Sequence, residues 1–310
     1  MNKVVIALCV FLVGSVCKSR GQSSSGKYPL GYSVDIGKIT SEKMQYAKSL
    51  GITHIELAGI GAILDKKLDT IEVSVKWKDH IQSVKTILAN SGIKVWSIHM
   101  PFSQNFDISL TNEARRQRVV AAHRNILKAL LVLSPEIILF HPSYYLGLNE
   151  REARAKQMTK SVNELYKIVS GYKRQMVVEN MLGPALRKGD VERPLMRSVE
   201  ECQKLFSNFP GKVGIGVDMC HIAEPQKLLL AFGSRVKTVH VSNGTGEAEN
   251  HYLPCDARGK NDWNAIFAAL QKIKYKGPFM HESKYKDEKE LAECYNSIWE
   301  NYQVSLTKKK

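Results

Sequence analysis

No apolar run in the 310 residues reaches the 18 or so positions that a membrane-spanning helix needs. The longest, Val4 to Val16 behind Lys3, is too short, and the polar stretch Lys18-Ser-Arg-Gly-Gln-Ser-Ser-Ser-Gly26 follows it. Residues 1–22 therefore read as an export signal and 23–27 as a linker, which places the protein in the periplasm or at the cell surface. Cys17 closes the apolar run where a bacterial lipoprotein carries its lipidated cysteine, although Val16 stands where a small residue is expected; cleavage near Gln22 is the alternative. The chain also lacks any Cys-x-x-Cys pair among its six cysteines, which removes zinc knuckles and dithiol redox motifs. Export permits a disulfide among Cys202, Cys220, Cys255 and Cys294, and their spacing selects no pairing. There is no Gly-x-Gly-x-x-Gly after the first strand and no Gly-x-x-x-x-Gly-Lys-Ser/Thr, so neither a dinucleotide fold nor a phosphate loop is indicated. Acidic residues are in short supply, 30 against 45 Lys and Arg, for a net charge of +15. Such a charge suits anionic partners, but the basic residues are scattered over helices, and this disfavours nucleic acid.

What is present is an alternation. Strand-like runs at 30–35, 52–57, 95–99, 137–141, 176–179, 213–218, 236–241 and 279–282 are each followed by a helical pattern, at 41–50, 75–90, 111–133, 149–170, 198–206, 224–232, 262–273 and 288–302. Ser41 is expected to cap the first helix, and Arg115, Arg116 and Arg118 to share an exposed face of the third. Strict βα alternation with short strands implies a parallel sheet covered by helices, and eight units imply a single closed (β/α)8 TIM barrel over residues 28–306, with a basic tail at 307–310.

The strands share a grammar: an apolar run that ends in an ionisable residue. Val213-Gly-Ile-Gly-Val-Asp218 is followed by His221, and Glu56, His99, His141, Glu179, His240 and Glu282 stand at equivalent ends, with His251 in the loop after strand seven. In a parallel barrel these ends form one rim. Glu179, Asp218, His240 and Glu282 close strands five to eight, and three converging carboxylates need a cation to stay ionised together. Mixed oxygen and imidazole ligation points to one divalent ion, Mn2+ or Zn2+ first, with Co2+, Mg2+ or Fe2+ also compatible. His99, His141, His221, His251 and Glu56 are left for substrate, and Trp96, Phe102, Tyr144, Tyr145 and Trp263 are rim aromatics that suit a sugar ring.

Val178-Glu179-Asn180, Gly216-Val-Asp218-x-x-His221, Val239-His240-Val-Ser, His251-x-Leu-Pro with Gly259-x-x-Asp262-Trp263, and Glu282 together resemble the xylose isomerase-like TIM-barrel superfamily. The resemblance implies that Glu179, Asp218, His240 and Glu282 ligate a single metal, that Glu179 and Glu282 also form the acid/base pair, and that His221 contacts substrate. It implies an isomerase or epimerase that removes a proton α to a carbonyl of a sugar or keto-sugar through a metal-stabilised enediolate. A dehydratase on a 3-keto sugar or glycoside, an endonuclease IV-like nuclease and a non-catalytic sugar-binding barrel are the alternatives. The nuclease branch uses three metals and further histidines, and His99, His141, His221 and Glu249-Asn-His251 occupy matching order with Glu249 in place of an aspartate. The arginine that some epimerases carry after the strand-seven histidine is Glu247 here, and the usual glycine after Leu-Pro is Cys255. The implied partner is a small sugar, with membrane contact only through a lipid anchor and self-association left open.

Overall fold

Eight strands close on themselves. They are β1 (Leu30–Asp35), β2 (Ile52–Ala58), β3 (Lys94–His99), β4 (Ile137–Phe140), β5 (Gln175–Glu179), β6 (Gly214–Asp218), β7 (Val236–Val241) and β8 (Phe279–His281), and every neighbouring pair is parallel, with β8 bonded to β1. This computed structural model describes residues 26–63, 73–183 and 185–308. The export signal with Cys17, most of the linker, much of the 59–74 connection and the last two lysines lie outside the described residues.

Helices alternate with the strands: α1 (Ser41–Ser49), α2 (Val75–Ser91), α3 (Glu113–Leu130), α4 (Arg151–Gly171), α5 (Val199–Phe206), α6 (Pro225–Phe232), α7 (Trp263–Lys272) and α8 (Glu288–Thr307). Their starts follow capping chemistry, in which a side-chain oxygen satisfies an otherwise orphaned first-turn amide. Asn112, Ser198, Asp262 and Asp287 accept such bonds, and α1 is capped by Thr40, whose hydroxyl accepts from the Lys43 amide at 3.2 Å, so Ser41 is the first helical residue and not the cap. Gly92 ends α2 in the left-handed region at φ 68°.

The main core lies between sheet and helices, while a second cluster of Ile137, Leu139 and Val177, with Trp96 against it, fills the barrel interior below the rim. Gly216 belongs to that interior: a Cβ there would sit 3.1 Å from both Leu139 and Val177 side chains. The interior is thus packed, and chemistry is confined to the mouth.

The expectation for Arg116 changes as well. Arg116 is fully buried and not on an exposed face, because its guanidinium bonds Glu113, Glu164 and Ser161 between α3 and α4. In the loop after β5, 187–188 and 191–192 pair as a short antiparallel hairpin. Among the described residues, Cys255 is bonded to Cys294, and Cys202 and Cys220 are free and buried.

Candidate active site

His240 on β7 is the hub of the mouth. Its Nδ1 lies 2.8 Å from Glu179 Oε1 on β5 and 2.7 Å from Glu282 Oε2 just past β8, and its Nε2 lies 2.9 Å from Glu56 Oε2 on β2. Without a metal, carboxylates at both nitrogens favour the protonated ring: burial opposes the charge, but Glu179, Glu282 and Glu56 outweigh it and hold the imidazole well above its ordinary range. Burial likewise opposes ionisation of Glu179, yet His240, His141 and His99 pull it well below the usual carboxylate range. Glu282 behaves in the same way and is lowered to about 2, with His240 the main force against burial.

Asp218 has the opposite balance. Burial pushes it up to about 6, the neighbouring Glu282 and Glu179 add to that, and His221 and His251 only partly offset it. Asn180, the residue after Glu179, locks it in place: the Asp218 amide donates to Asn180 Oδ1 at 2.8 Å, and Asn180 Nδ2 donates back to the Asp218 carbonyl at 3.2 Å. The same asparagine offers its carbonyl to His221 Nδ1 at 3.0 Å. His251, in the left-handed region at φ 47°, places its Nδ1 2.8 Å from the Glu282 carbonyl.

A mouth cavity of about 90 Å3 has a polar wall of His141, Glu179, His221, Glu249, His251 and Glu282 and an apolar one of Phe102, Tyr144, Tyr145 and Met181. Of the five residues assigned to substrate, His141, His221 and His251 therefore line the cavity, and His99 and Glu56 do not. His99 sits behind, its ring stacked on His240 at 5.8 Å and its Nε2 3.1 Å from His141 Nε2. Glu56 is fully buried beneath His240, where it also accepts from Ser97 Oγ at 2.7 Å. Trp96 is an interior residue whose Nε1 donates to Thr238 Oγ1 at 3.1 Å, and Trp263 packs on Phe279 at 6.0 Å, so neither stacks in the mouth. Phe102 does: it is half exposed and lies on His141 with ring centroids 3.8 Å apart. Sequence reasoning gave no role to Asn180, Ser143 or Met181; the Glu179-Asn180 dipeptide at a strand end was the one signal for the first of them.

The donor set fits a divalent cation. Glu179, Asp218, His240 and Glu282 offer ligand atoms that all lie within 4.8 Å of one another, and Glu179 Oε2 and Asp218 Oδ2 are buried without a hydrogen bond, with imidazole nitrogens of His141 and His221 at 3.3 and 3.4 Å. Buried oxygens left unpaired are costly, and a metal ion satisfies them. Two further groups pass the same distance test, His99–Glu179–His240 and Asp218–His221–His251, so Glu179 and Asp218 are each shared between clusters.

A family model described as a xylose isomerase-like TIM barrel matches residues 42–297. The chain belongs to that family. An uncharacterized protein of Methanocaldococcus jannaschii is 22% identical over 214 residues, which is 68% of this chain and 80% of that protein. Among solved structures, a D-tagatose 3-epimerase-like protein superposes with a TM-score of 0.70 at 17% identity, covering 91% of this chain and 99% of that one. The D-psicose 3-epimerase of Clostridium cellulolyticum H10 follows at 0.68 and 17%, over 89% and 98% of the two chains. The 3-keto-D-glucoside 4-epimerase of E. coli gives 0.65 at 17% identity, over 90% and 100%. These structural neighbours include sugar epimerases, and at these identities the likeness establishes the shared barrel.

Proposed function

We propose that this protein is a divalent-metal-dependent isomerase or epimerase of a sugar or keto-sugar. The observation that carries the reading is the pairing of Glu179 and Glu282 on the Nδ1 side of His240, with Asp218 within ligating reach, at the floor of a mouth walled by aromatic rings. Glu179, Asp218, His240 and Glu282 would hold the ion, which supplies Lewis-acid polarisation of adjacent carbonyl and hydroxyl oxygens. Both glutamates are held ionised, as a base that takes the proton α to the carbonyl must be. Glu179 is buried, whereas the Glu282 side chain is 28% exposed, so the two approach a bound sugar from unlike environments. One removes the proton and the other returns it: return to the opposite face epimerises, return to the neighbouring carbon isomerises, and departure of a β-substituent gives elimination. His221 and His251 border the site from the polar wall, and Phe102, Tyr144 and Tyr145 offer faces to the sugar's C–H surface.

Proton–deuterium exchange into a panel of keto-sugars in heavy water tests the reaction, because wash-in at one carbon reports both the substrate and the position of attack. Glu282→Gln should cut exchange by about 10^2- to 10^4-fold. Full turnover in that variant on a confirmed substrate would refute the acid/base assignment.

One observation favours a second reading. The sharing of Glu179 and Asp218 among three ligand clusters suits a site of two or three ions, the arrangement that clamps both oxygens of a phosphate ester during hydrolysis. Elemental analysis separates the readings: about one ion per chain supports the epimerase, about three the endonuclease IV-like nuclease, and none a sugar-binding barrel. Export, with a lipid anchor at Cys17 or simple cleavage, accompanies the first reading as part of the proposal and favours a free sugar or glycoside over a phosphorylated metabolite.

A further inference from the structure

The histidines of the mouth differ in which nitrogen meets a backbone carbonyl and which is turned toward other side chains. His99 Nδ1 meets the Met100 carbonyl at 3.2 Å, His221 Nδ1 the Asn180 carbonyl at 3.0 Å and His251 Nδ1 the Glu282 carbonyl at 2.8 Å. Each of these rings thereby presents Nε2. His240 is reversed: its Nε2 is taken by Glu56, and its Nδ1 faces Glu179 and Glu282.

We propose that Glu56 is a positioning residue which fixes the Nε2–H tautomer of His240 and so aims the Nδ1 lone pair at the metal; the inference rests on the metal-dependent reading above. A fully buried carboxylate is retained only where hydrogen bonds compensate its desolvation. Here the compensating donors are His240 Nε2–H at 2.9 Å and the Ser97 hydroxyl at 2.7 Å, both on Glu56 Oε2, while Oε1 is buried and has no partner. Glu56 does not border the mouth cavity, so it has no route to substrate and acts through the imidazole. The three groups come from β2, β3 and β7, so closure of the barrel is what brings them together. The stacked His99 ring, inclined by 18° to that of His240, holds its plane. A carboxylate on the far nitrogen both orients a ligating imidazole and raises its basicity, and removing such a partner costs metal affinity.

The test is Zn2+ affinity of the full chain after chelator treatment, measured by competition with a chromophoric chelator, beside long-range 1H–15N spectra of the histidine side chains. Zinc-loaded wild type should show His240 protonated on Nε2 and ligated through Nδ1. Glu56→Gln, whose amide oxygen still accepts the N–H, should bind zinc about 10-fold more weakly, and Glu56→Leu about 100-fold more weakly. Thermal melts of the metal-free variants account for any loss of fold, and Ser97→Ala, a milder change at the same carboxylate, should weaken zinc only a few-fold. Zinc binding by Glu56→Leu within twofold of wild type, or a His240 that carries its proton on Nδ1 in the zinc-loaded protein, overturns the inference. A merely structural Glu56 would lower the melting temperature and leave zinc affinity unchanged, which overturns it equally. Wild-type protein that takes up no ion overturns it together with the functional reading, whereas uptake insensitive to Glu56→Leu overturns it alone.

Discussion

Asn180 shows how much of the site depends on a residue that carries no charge. It holds Asp218 through two hydrogen bonds and His221 through a third. Asn180→Ala leaves buried donors and acceptors unpaired, so we expect a loss of roughly 1–3 kcal/mol in a denaturant titration. The same variant should weaken divalent-ion binding about 10-fold in calorimetry, because the Asp218 carboxylate is no longer aimed. The four clustered residues Glu179, Asp218, His240 and Glu282 are legible because each ends an apolar run, and a strand that emerges at the rim has to put its first polar side chain there. Glu56 obeys the same grammar, yet it lies beneath His240 and outside the mouth cavity, for a physical reason. Period-two alternation tells which face a strand residue takes but not how deep it lies, and the shift in register between β2 and β3 beside Glu56 is invisible in the sequence.

At the scale of elements, strand ends and helix starts were readable to within a residue or two, since both are set by local chemistry: apolar runs, Asx and Ser caps, glycine stops. What was not readable is what elements do to each other. Arg116 sits on a polar helix face by periodicity, yet α4 packs over it and supplies Glu164 and Ser161, which turns a surface position into a buried ion pair. The long loop between β7 and α7 is a similar case. Asn243 braces it from inside, accepting from the Gly244 and Asn261 amides at 3.1 Å each, and the Cys255–Cys294 disulfide pins it to α8. Nothing in the spacing of four cysteines predicts which two meet. With a sequence separation of 39 between the partners, chain-entropy reasoning puts the crosslink at no more than about 4 kcal/mol. Reduction by dithiothreitol should therefore lower the melting temperature by several degrees in wild type and not at all in Cys255→Ser/Cys294→Ser.

The whole molecule has a pH dependence that the mouth does not set. His123 on α3 is buried against Phe106 and Phe140, with no side-chain partner for its ring, and burial lowers its pKa to about 4. Its folded-state value lies below the value of about 6.5 expected in the unfolded chain. The unfolded chain therefore binds the proton first, so this contribution is complete above about pH 6.5 and is lost as pH falls toward 4. Between pH 7 and 5 this residue alone should remove roughly 2 kcal/mol, and His123→Phe should flatten that part of a urea-derived stability profile. A profile unchanged by the substitution would show that the ring is solvated in the native state.

The closed barrel also fixes the direction from which the chain arrives. Tyr28 and Pro29 bond to Tyr295 and Phe279 at the amino ends of the strands, with the rim that carries the candidate site on the opposite side. A tether applied upstream of Tyr28, whether a fatty acyl group in a membrane or a resin in a column, would thus hold the barrel by its base and leave the opening turned toward the medium. Immobilised protein should keep the exchange kinetics of the free form.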